Sequence, residues 1–471
     1  MARLVVVQLT AAPAAAIGNG FGRRGVAPAP LPDPSLLGAQ RALAEAPRDA
    51  VNDLRNACLA RLEPSAIAGV PQDRLAQEVE GLIAEIATER RIQLNGREQR
   101  ALARELVADM LGLGPMEVLL EDDDIADIMV NGPNKVFIER NGRVELSQVH
   151  FRDEGHLINI CQRIASAVGR RIDESSPMVD ARLKDGSRVN IVFPPLALEG
   201  PVVSIRKFRK KAIGFEELVG YGAMTPPLAA VLQLAARIRL NVIISGGTGS
   251  GKTTLLNAMS RQIGHAERII TVEDAAELQL QQPHVVRLET RPVSLEGRGE
   301  VNQRDLVRNA LRMRPDRIII GEVRGGEAFD MLQAMNTGHD GSMSTIHANN
   351  TRDAISRVEN MVQMGHMGLP VAAISTQIAS AVHLIVQVER QRDGGRRLTQ
   401  VTEVCGMEGD VIILNDIFQF QMLGETTAGR IYGQYRISRA RPSFQHQLTY
   451  YGLDAAWTAA MEEAEHGLQP A

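Results

Sequence analysis

The chain has 471 residues, of which 44% are hydrophobic and 23% charged, so it can form a sizeable core and is not disordered throughout. Its 52 Lys and Arg residues against 56 Asp and Glu residues give a net charge of -4, and aromatic residues make up only 3%. This balance argues against a nucleic-acid-binding protein. The three cysteines lie far apart, which excludes a disulfide framework and a tetracysteine zinc site.

The first half of the chain predicts three segments. Residues 1–45, rich in Ala, Pro and Gly, are predicted to be a disordered tail. Residues 46–111 are predicted to form a small helical bundle, and residues 112–210 an α+β domain with a helix around residues 157–168. The apolar stripes of the bundle are Leu54, Cys58, Leu59 and Leu62, then Val79, Leu82, Ile83 and Ile86, then Leu102, Leu106, Met110 and Leu111. The predicted turns of the α+β domain are Asn131-Gly132 and Asn141-Gly142.

The second half predicts an α/β domain over residues 225–430, entered through a linker over residues 211–224. Thr225 before Pro226 is typical of a helix start, with the threonine hydroxyl as the cap. Apolar runs (NVIISG, RIITV, HVVRLET, RIIIGE and SMSTIH) then alternate with helices, which indicates a mostly parallel sheet covered on both faces. The sequence says little about the C-terminal extension, residues 431–471.

No stretch of the sequence is predicted to span a membrane. A long uncharged stretch, residues 371–388, contains too many polar side chains for the lipid interior. An apolar run follows Arg3, but Gln8, Thr10 and Pro13 interrupt it, so we do not expect a cleaved signal peptide. We therefore expect a cytoplasmic protein.

A glycine-rich motif, GGTGSGKTT, lies between a predicted strand and a predicted helix and matches the full GxxxxGK[ST] pattern. Its glycines let the backbone N–H groups point at phosphate oxygens, and the helix N-terminus adds its dipole. Lys252 is predicted to reach the β- and γ-phosphates, and the Thr253 hydroxyl to coordinate Mg²⁺. The predicted cofactors are ATP and Mg²⁺, and the predicted binding residues are Gly246, Gly247, Thr248, Gly249, Ser250, Gly251, Lys252, Thr253 and Thr254.

Carboxylates follow two of the other predicted strands. Glu322 comes after RIII, and a carboxylate at this end of a parallel strand lies where ligands bind, so it could polarise an attacking water. Glycine stands just before it, where many P-loop enzymes place aspartate. Glu273 and Asp274, with Glu277 three residues on, suit the positioning of metal or water, or else the first turn of a helix.

Histidines and arginines complete the candidate site. His339 and His347 lie on either side of a third predicted strand, where they could contact the γ-phosphate or be structural. A zinc site is not expected, because no third ligand lies nearby in the sequence. Arginines of the α+β domain could neutralise charge in the transition state, although such residues are more often solvated surface charges. These arginines are Arg182, Arg188 and Arg206.

The motifs GGTGSGKTT, ITVEDAAEL, IIIGEVRGGEAFDML and GHDGSMSTIHAN resemble, in order, the Walker A, acidic, Walker B and histidine boxes of the type II/type IV secretion ATPase superfamily. The resemblance covers about residues 111–420. Within the superfamily, LGLGPMEVLLEDDDIADIMVNGP, VDARLKDGSRVNIV and VTEVCGMEGDVIILNDIF are similar to CpaF-type ATPases of tight-adherence (Flp) pilus systems. Cys405 departs from that pattern, where a small polar residue is expected.

This resemblance implies a hexameric ring at the inner face of the bacterial inner membrane. Each protomer would have an α+β N-terminal domain and a RecA-like P-loop domain, and the ring would act on an inner-membrane platform protein. Glu322 would be the catalytic acid, Glu273 would lie near the water, and His339 and His347 would flank the γ-phosphate. The arginines expected to reach the nucleotide are Arg182, Arg188 and Arg206. ATP hydrolysis would power pilus assembly, with retraction as a further role left open.

Two other functions remain open from the sequence. The first is a RecA-like translocase on DNA or protein, including the type IV secretion branch; the acidic balance counts against DNA. The second is a nucleotide-binding regulatory scaffold with little turnover, which the full set of acidic residues disfavours.

Overall fold

The computed structural model of the protein describes residues 48–61, 72–140, 142–208, 213–291, 299–365, 368–427 and 429–466. The predicted tail, Leu62, Asn141 and the start of the predicted linker lie outside these residues. The chain divides into two compact units, Met1–Glu121 and Asp122–Ala471.

The first unit is helical in its described part. Its helices are α1 (Arg48–Arg61), α2 (Gln72–Glu89), α3 (Gly96–Leu111) and α4 (Glu117–Glu121). Asn95 and Glu98 form a capping box at the start of α3, each satisfying a backbone N–H of the other. The predicted stripes supply the core of this unit with side chains that include Leu54, Ile83 and Leu102. The prediction is wrong for Leu59 and Leu111, which are 42% and 44% exposed.

The second unit begins with an antiparallel sheet, called the first sheet below. Its strands lie in the order β3-β2-β1-β6-β5-β4. They are β1 (Ile125–Asn131), β2 (Val136–Arg140), β3 (Arg143–Leu146), β4 (Met178–Arg182), β5 (Arg188–Val192) and β6 (Val202–Arg206), with α5 (Glu154–Ala167) between β3 and β4. The predicted turn at Gly132 is confirmed: this residue follows β1 with a φ of +70°, a conformation that favours glycine.

A larger sheet, called the second sheet, follows α6 (Phe215–Gly220) and α7 (Pro226–Arg237). Its order is β15-β14-β13-β12-β7-β11-β10-β8-β9, and the six strands from β12 to β9 in that order are parallel. The parallel strands are β7 (Val242–Gly246), β8 (Ile269–Glu273), β9 (Val285–Glu289), β10 (Arg317–Ile320), β11 (Met343–Ile346) and β12 (Leu384–Arg390). The antiparallel strands are β13 (Arg396–Glu408), β14 (Val411–Glu425) and β15 (Ile431–Ile437). This parallel order is that of a RecA-like domain.

Helices cover both faces of the second sheet, as the apolar runs predicted. They are α8 (Lys252–Ser260), α9 (Gln303–Ala310), α10 (Glu327–Asn336), α11 (Thr351–Gly365), α12 (Val371–Ala381), α13 (Gln445–Tyr451) and α14 (Asp454–His466). Because side chains alternate along a strand, Ile243 joins one apolar core and Ile244 the other. The architecture is therefore α/β, and no helix among the described residues has the length and apolarity to cross a lipid bilayer.

One segment differs from what its sequence predicted, and a second has a structure on which its sequence says little. The hydroxyl of Thr225 makes no capping bond, and Pro226 and Pro227 leave no N–H in the first two helical positions. The C-terminal extension packs into the core beside the second sheet, where the Phe444 and Trp457 rings meet edge to face, 5.2 Å between centroids. That extension is therefore part of the folded unit in its described residues.

Candidate nucleotide site

The phosphate loop, residues 246–252, joins the end of β7 to the start of α8. A Cβ atom on Gly246 would lie 2.2 Å from the carbonyl oxygen of Val388 on the neighbouring strand β12. Gly249 and Gly251 have φ values of +69° and +102°, where other residues are strained. Gly246, Gly249 and Gly251 are thus required by the backbone path, whereas a Cβ atom on Gly247 would meet open space. All predicted nucleotide-binding residues lie in this strand, loop and helix start.

Lys252 is buried at the first position of α8 and turns back over the loop. Its Nζ donates to the carbonyl oxygens of Gly246 (3.0 Å) and Gly247 (2.9 Å), and lies 3.4 Å from Nε2 of His347. Burial lowers the pKa of Lys252 from its ordinary value, and the nearby Glu322 opposes that effect. The lysine therefore occupies loop carbonyls that an arriving phosphate would release.

Glu322 lies just past the end of β10, between two basic side chains. Its Oε1 is 3.0 Å from Nε2 of His347, and its Oε2 accepts from the Arg324 guanidinium at 2.7 Å. Burial tends to raise the pKa of Glu322, but the Arg324 hydrogen bond and the charges around it outweigh burial and hold that pKa below its ordinary value. Glu322 is thus an ionised carboxylate beside Lys252.

Glu273 ends β8 and is only 2% exposed. Its Oε2 accepts from the backbone N–H groups of Glu277 (2.6 Å) and Leu278 (2.9 Å). Its Oε1 is buried without a hydrogen-bond partner among the described residues. We call residues 273–278 the acidic segment. No helix follows β8, so these acids are not first-turn acids of a helix.

The space around Gly321 explains why glycine, and not the more common aspartate, stands before Glu322. A Cβ atom on Gly321 would lie 2.9 Å from Cγ of Glu273, closer than real Cβ contacts. The side chain of Glu273 therefore fills the space beside Gly321. Arg324 also reaches the acidic segment, where its guanidinium lies 3.4 Å from a carboxylate oxygen of Asp274.

Burial raises the pKa of Glu273 to about 7 from an ordinary value of 4.5. The folded protein then holds a proton that the unfolded chain releases, so stability falls as the pH rises from about 4.5 to about 7, by about 3 kcal/mol. We expect Glu273→Gln to flatten this slope and to be more stable than the parent at pH 8, with urea unfolding in EDTA as the measurement. Glu463→Gln, an exposed control, should keep the parental slope; parallel profiles for Glu273→Gln and the parent would contradict the assignment.

The two histidines lie at opposite ends of strand β11 in the second sheet. His347 follows β11 and contacts both Lys252 and Glu322. His339 precedes β11, where its carbonyl accepts from Ser342 at 2.7 Å and its ring Nδ1 lies 3.3 Å from the carbonyl oxygen of Ala334. The structure therefore does not bring His339 to the phosphate loop within the chain, and the expectation that both histidines flank one phosphate is not met.

The predicted arginines lie on adjacent strands of the first sheet, where Arg188 pairs in register with both Arg182 and Arg206. Arg182 and Arg188 reach the acidic segment: Arg182 donates to the Ala276 carbonyl at 3.2 Å, and Arg188 lies 3.2 Å from the Glu277 carboxylate. Arg206 instead forms an ion pair with Asp127 inside the first sheet, at 3.4 Å. Two of the three arginines thus contact the candidate site.

Three arginines beside the site were missed from the sequence. Arg324 had a signal, since it lies two residues after Glu322 in GEVRGG. Arg390 and Arg396 had none, because they lie far along the chain from the loop that they approach. Arg396 Nε donates to the carbonyl oxygen of Gly249 at 2.9 Å.

The residues present fit a magnesium nucleotide. The loop offers backbone N–H groups and a lysine to phosphates, and Thr253 lies at the start of α8 beside it. The unpartnered, buried Oε1 of Glu273 is an oxygen of the kind that Mg²⁺ prefers. The arrangement can bind a phosphate chain and present an ionised carboxylate, Glu322, to a water molecule.

Residues 109–405 match the family described as "Type II/IV secretion system protein". The chain is 41% identical to a putative conjugal transfer protein of Mycobacterium tuberculosis, over 68% of this chain and 92% of that protein. It is 36% identical to the type IV secretion system protein PtlH of Bordetella pertussis, over 59% of this chain and 89% of that protein.

The chain is also similar to solved structures. One is the VirB11 ATPase of the Brucella suis type IV secretion system, with 31% identity, a TM-score of 0.33, and coverage of 61% of this chain and 94% of that one. Another is the pilus retraction motor PilT with bound ADP, with 17% identity, a TM-score of 0.46, and coverage of 73% of this chain and 89% of that one.

Proposed function

The chain belongs to the type II/IV secretion system protein family, and from this membership and its site we propose that it is an ATP-hydrolysing motor. The observation that carries the proposal is the ionised Glu322 carboxylate beside the buried Lys252 of the phosphate loop. A protein that only bound nucleotide would not need a carboxylate held in its charged form at this position.

Hydrolysis follows from these side chains. On nucleotide binding, Lys252 leaves the carbonyls of Gly246 and Gly247 and pairs with the β- and γ-phosphates. Glu322 orients the attacking water and accepts its proton, while His347, neutral because burial lowers its pKa, hydrogen-bonds on the γ-phosphate side. Mg²⁺, held by Thr253 and Glu273, would neutralise the phosphate charge.

Arginines of the first sheet supply the remaining positive charge. Arg182 and Arg188 now contact Ala276 and Glu277 of the acidic segment, and they would exchange these partners for phosphate oxygens. Arg206 is adjacent to Arg188 in the sheet and would follow it toward the nucleotide. This exchange would couple nucleotide binding to the position of the first sheet, which is how we propose that the motor produces force.

We further propose that the protein works as a cytoplasmic hexameric ring at the inner face of the bacterial inner membrane, attached through platform proteins. The similarity of three stretches to CpaF-type ATPases supports tight-adherence pilus assembly. The predicted division into an α+β domain over residues 112–210 and a P-loop domain over residues 225–430 belongs to this proposal. The second candidate is a type IV secretion motor, favoured by the relatives named for conjugal transfer and type IV secretion.

The first test is ATP turnover as a function of protein concentration, with oligomer mass measured by light scattering. We expect turnover to rise as rings form, and Lys252→Ala to reduce it about 10²-fold or more, because charge-assisted hydrogen bonds to the phosphates are lost. Lys135→Ala is the matched control, since this lysine is 65% exposed in the connection between β1 and β2. Equal turnover by Lys252→Ala and the parent, or no turnover by intact rings supplied with their platform protein, would contradict the motor.

A further inference from the structure

A hairpin of the second sheet reaches the phosphate loop from β12, which flanks β7 on the side away from β8 and the acidic segment. It is formed by the end of β12 and the start of β13, and its two end residues, Arg390 and Arg396, are register partners across the hairpin. We call them the arginine pair. Their guanidinium groups belong to the sheet that carries the loop, so they differ from the arginines of the first sheet.

Both members of the pair approach the tip of the loop. Arg396 Nε donates to the carbonyl oxygen of Gly249 at 2.9 Å, and its Cδ lies 3.5 Å from where a Cβ atom on Gly251 would be. Arg390 comes within 3.9 Å of the corresponding position on Gly249, while its other nitrogen donates to the Gly142 carbonyl in the β2–β3 turn at 3.1 Å. The Arg396 hydrogen bond is thus the direct tie between hairpin and loop.

This hydrogen bond controls the orientation of one peptide group. In a planar trans peptide the C=O and the following N–H point in opposite directions, so fixing the Gly249 carbonyl also aims the N–H of Ser250. That N–H makes only a long bond, 3.4 Å, to the carbonyl of Gly247. The Ser250 N–H is therefore oriented by Arg396 through the shared peptide group, and its weak bond to Gly247 leaves it available to a better acceptor.

Arg396 and Lys252 hold different carbonyls of the loop, and they would behave differently when phosphate arrives. Lys252 holds Gly246 and Gly247 and must leave them to pair with the phosphates. Arg396 holds a carbonyl that faces away from the Ser250 N–H, so its bond can persist. A loop that stays ordered loses less conformational entropy when the ligand binds.

We propose that Arg396 is a positioning residue that keeps the phosphate loop in its binding conformation for nucleoside di- and triphosphates. The inference rests on the proposed nucleotide site and adds the residue that orders its loop. Since the contribution is to binding in the ground state and the transition state alike, it predicts a change in KM rather than in kcat.

The test compares Arg396→Ala, Arg396→Lys and Arg392→Ala with the parent, using a fluorescent ADP analogue for affinity and steady-state ATP turnover. Arg392 is the matched control, because it lies between the pair in the same hairpin, is 70% exposed and pairs with Glu425. We expect Arg396→Ala to raise the Kd and the KM about 10-fold with kcat changed less than about 2-fold, from the loss of one charged hydrogen bond. Arg396→Lys should recover part of the affinity, and Arg392→Ala should match the parent.

Folding of each variant is checked by thermal melting followed through Trp457, so that a loss of affinity is read only from folded protein. Unchanged affinity in Arg396→Ala, beside a parent that binds the analogue, would overturn this inference alone. A fall in kcat at constant KM would also overturn it, because it would move Arg396 into the chemistry. A parent that binds no analogue would overturn the proposed function and this inference with it.

Discussion

Glu322→Gln should abolish most ATP turnover, with kcat falling about 10²- to 10⁴-fold, the range expected for loss of a general base. Glutamine keeps the size of the side chain and can still accept from Arg324, so the loop and its lysine should be undisturbed. It cannot take a proton from water. Because the site of phosphate binding is elsewhere, in the loop, the Kd for the ADP analogue should stay within about 3-fold of the parent.

Glu408→Gln is the control for this substitution, since Glu408 is exposed at the end of β13, away from the loop. It should leave both turnover and affinity at parental values. If Glu322→Gln hydrolysed ATP at the parental rate, Glu322 would not be the general base, and another carboxylate would have to take that role. If Glu322→Gln lost affinity and turnover together, its role would be in binding.

Arg317→Met should lower the free energy of unfolding by about 3–5 kcal/mol, the cost of breaking a buried ion pair from one side. Arg317 begins β10 and is fully buried. Its guanidinium donates hydrogen bonds to both carboxylate oxygens of Glu267, at 2.7 and 2.8 Å, and to the Ala236 carbonyl oxygen at 2.8 Å. Methionine would leave the largely buried Glu267 carboxylate without these donors.

Urea denaturation followed by the fluorescence of Trp457, the only tryptophan in the sequence, measures this loss. Arg439→Met is the control: Arg439 pairs with Glu465 at 3.1 Å but is 84% exposed, so it should cost no more than about 1 kcal/mol. The double variant Arg317→Met with Glu267→Met should regain much of the stability, because neither charge of the buried pair remains. Equal losses for Arg317→Met and Arg439→Met would contradict a buried network.

The second sheet and its loop were predictable because their signals are local. Runs such as NVIISG are apolar on both faces, as a central parallel strand must be, and the phosphate loop is one continuous motif. Glu322 and Glu273 were found by the same reasoning, since both end strands of that sheet. The positions of the loop, Glu322 and Glu273 follow from the ends of parallel strands meeting at one edge.

The remaining contacts join residues far apart in the sequence, and no local sequence pattern indicates them. Arg396 meets Gly249 across 147 positions of sequence, and Arg390 meets Gly142 across 248. The packing of Trp457 against the core likewise depends on where the last helices return. His339 is a different case, because it precedes a strand that His347 follows, and that order alone places the two residues at opposite edges of the sheet.

Gly321 and Glu273 come from neighbouring strands and share one small volume, in which a Cβ atom on the glycine would approach the Glu273 side chain to 2.9 Å. A carboxylate can enter that volume from β8 or from the residue before Glu322, but not from both. The acid therefore belongs to the pocket and not to either strand. Two sequences that differ at both positions can carry the same acid at the same place, and a column-by-column alignment would score that exchange as two unrelated changes.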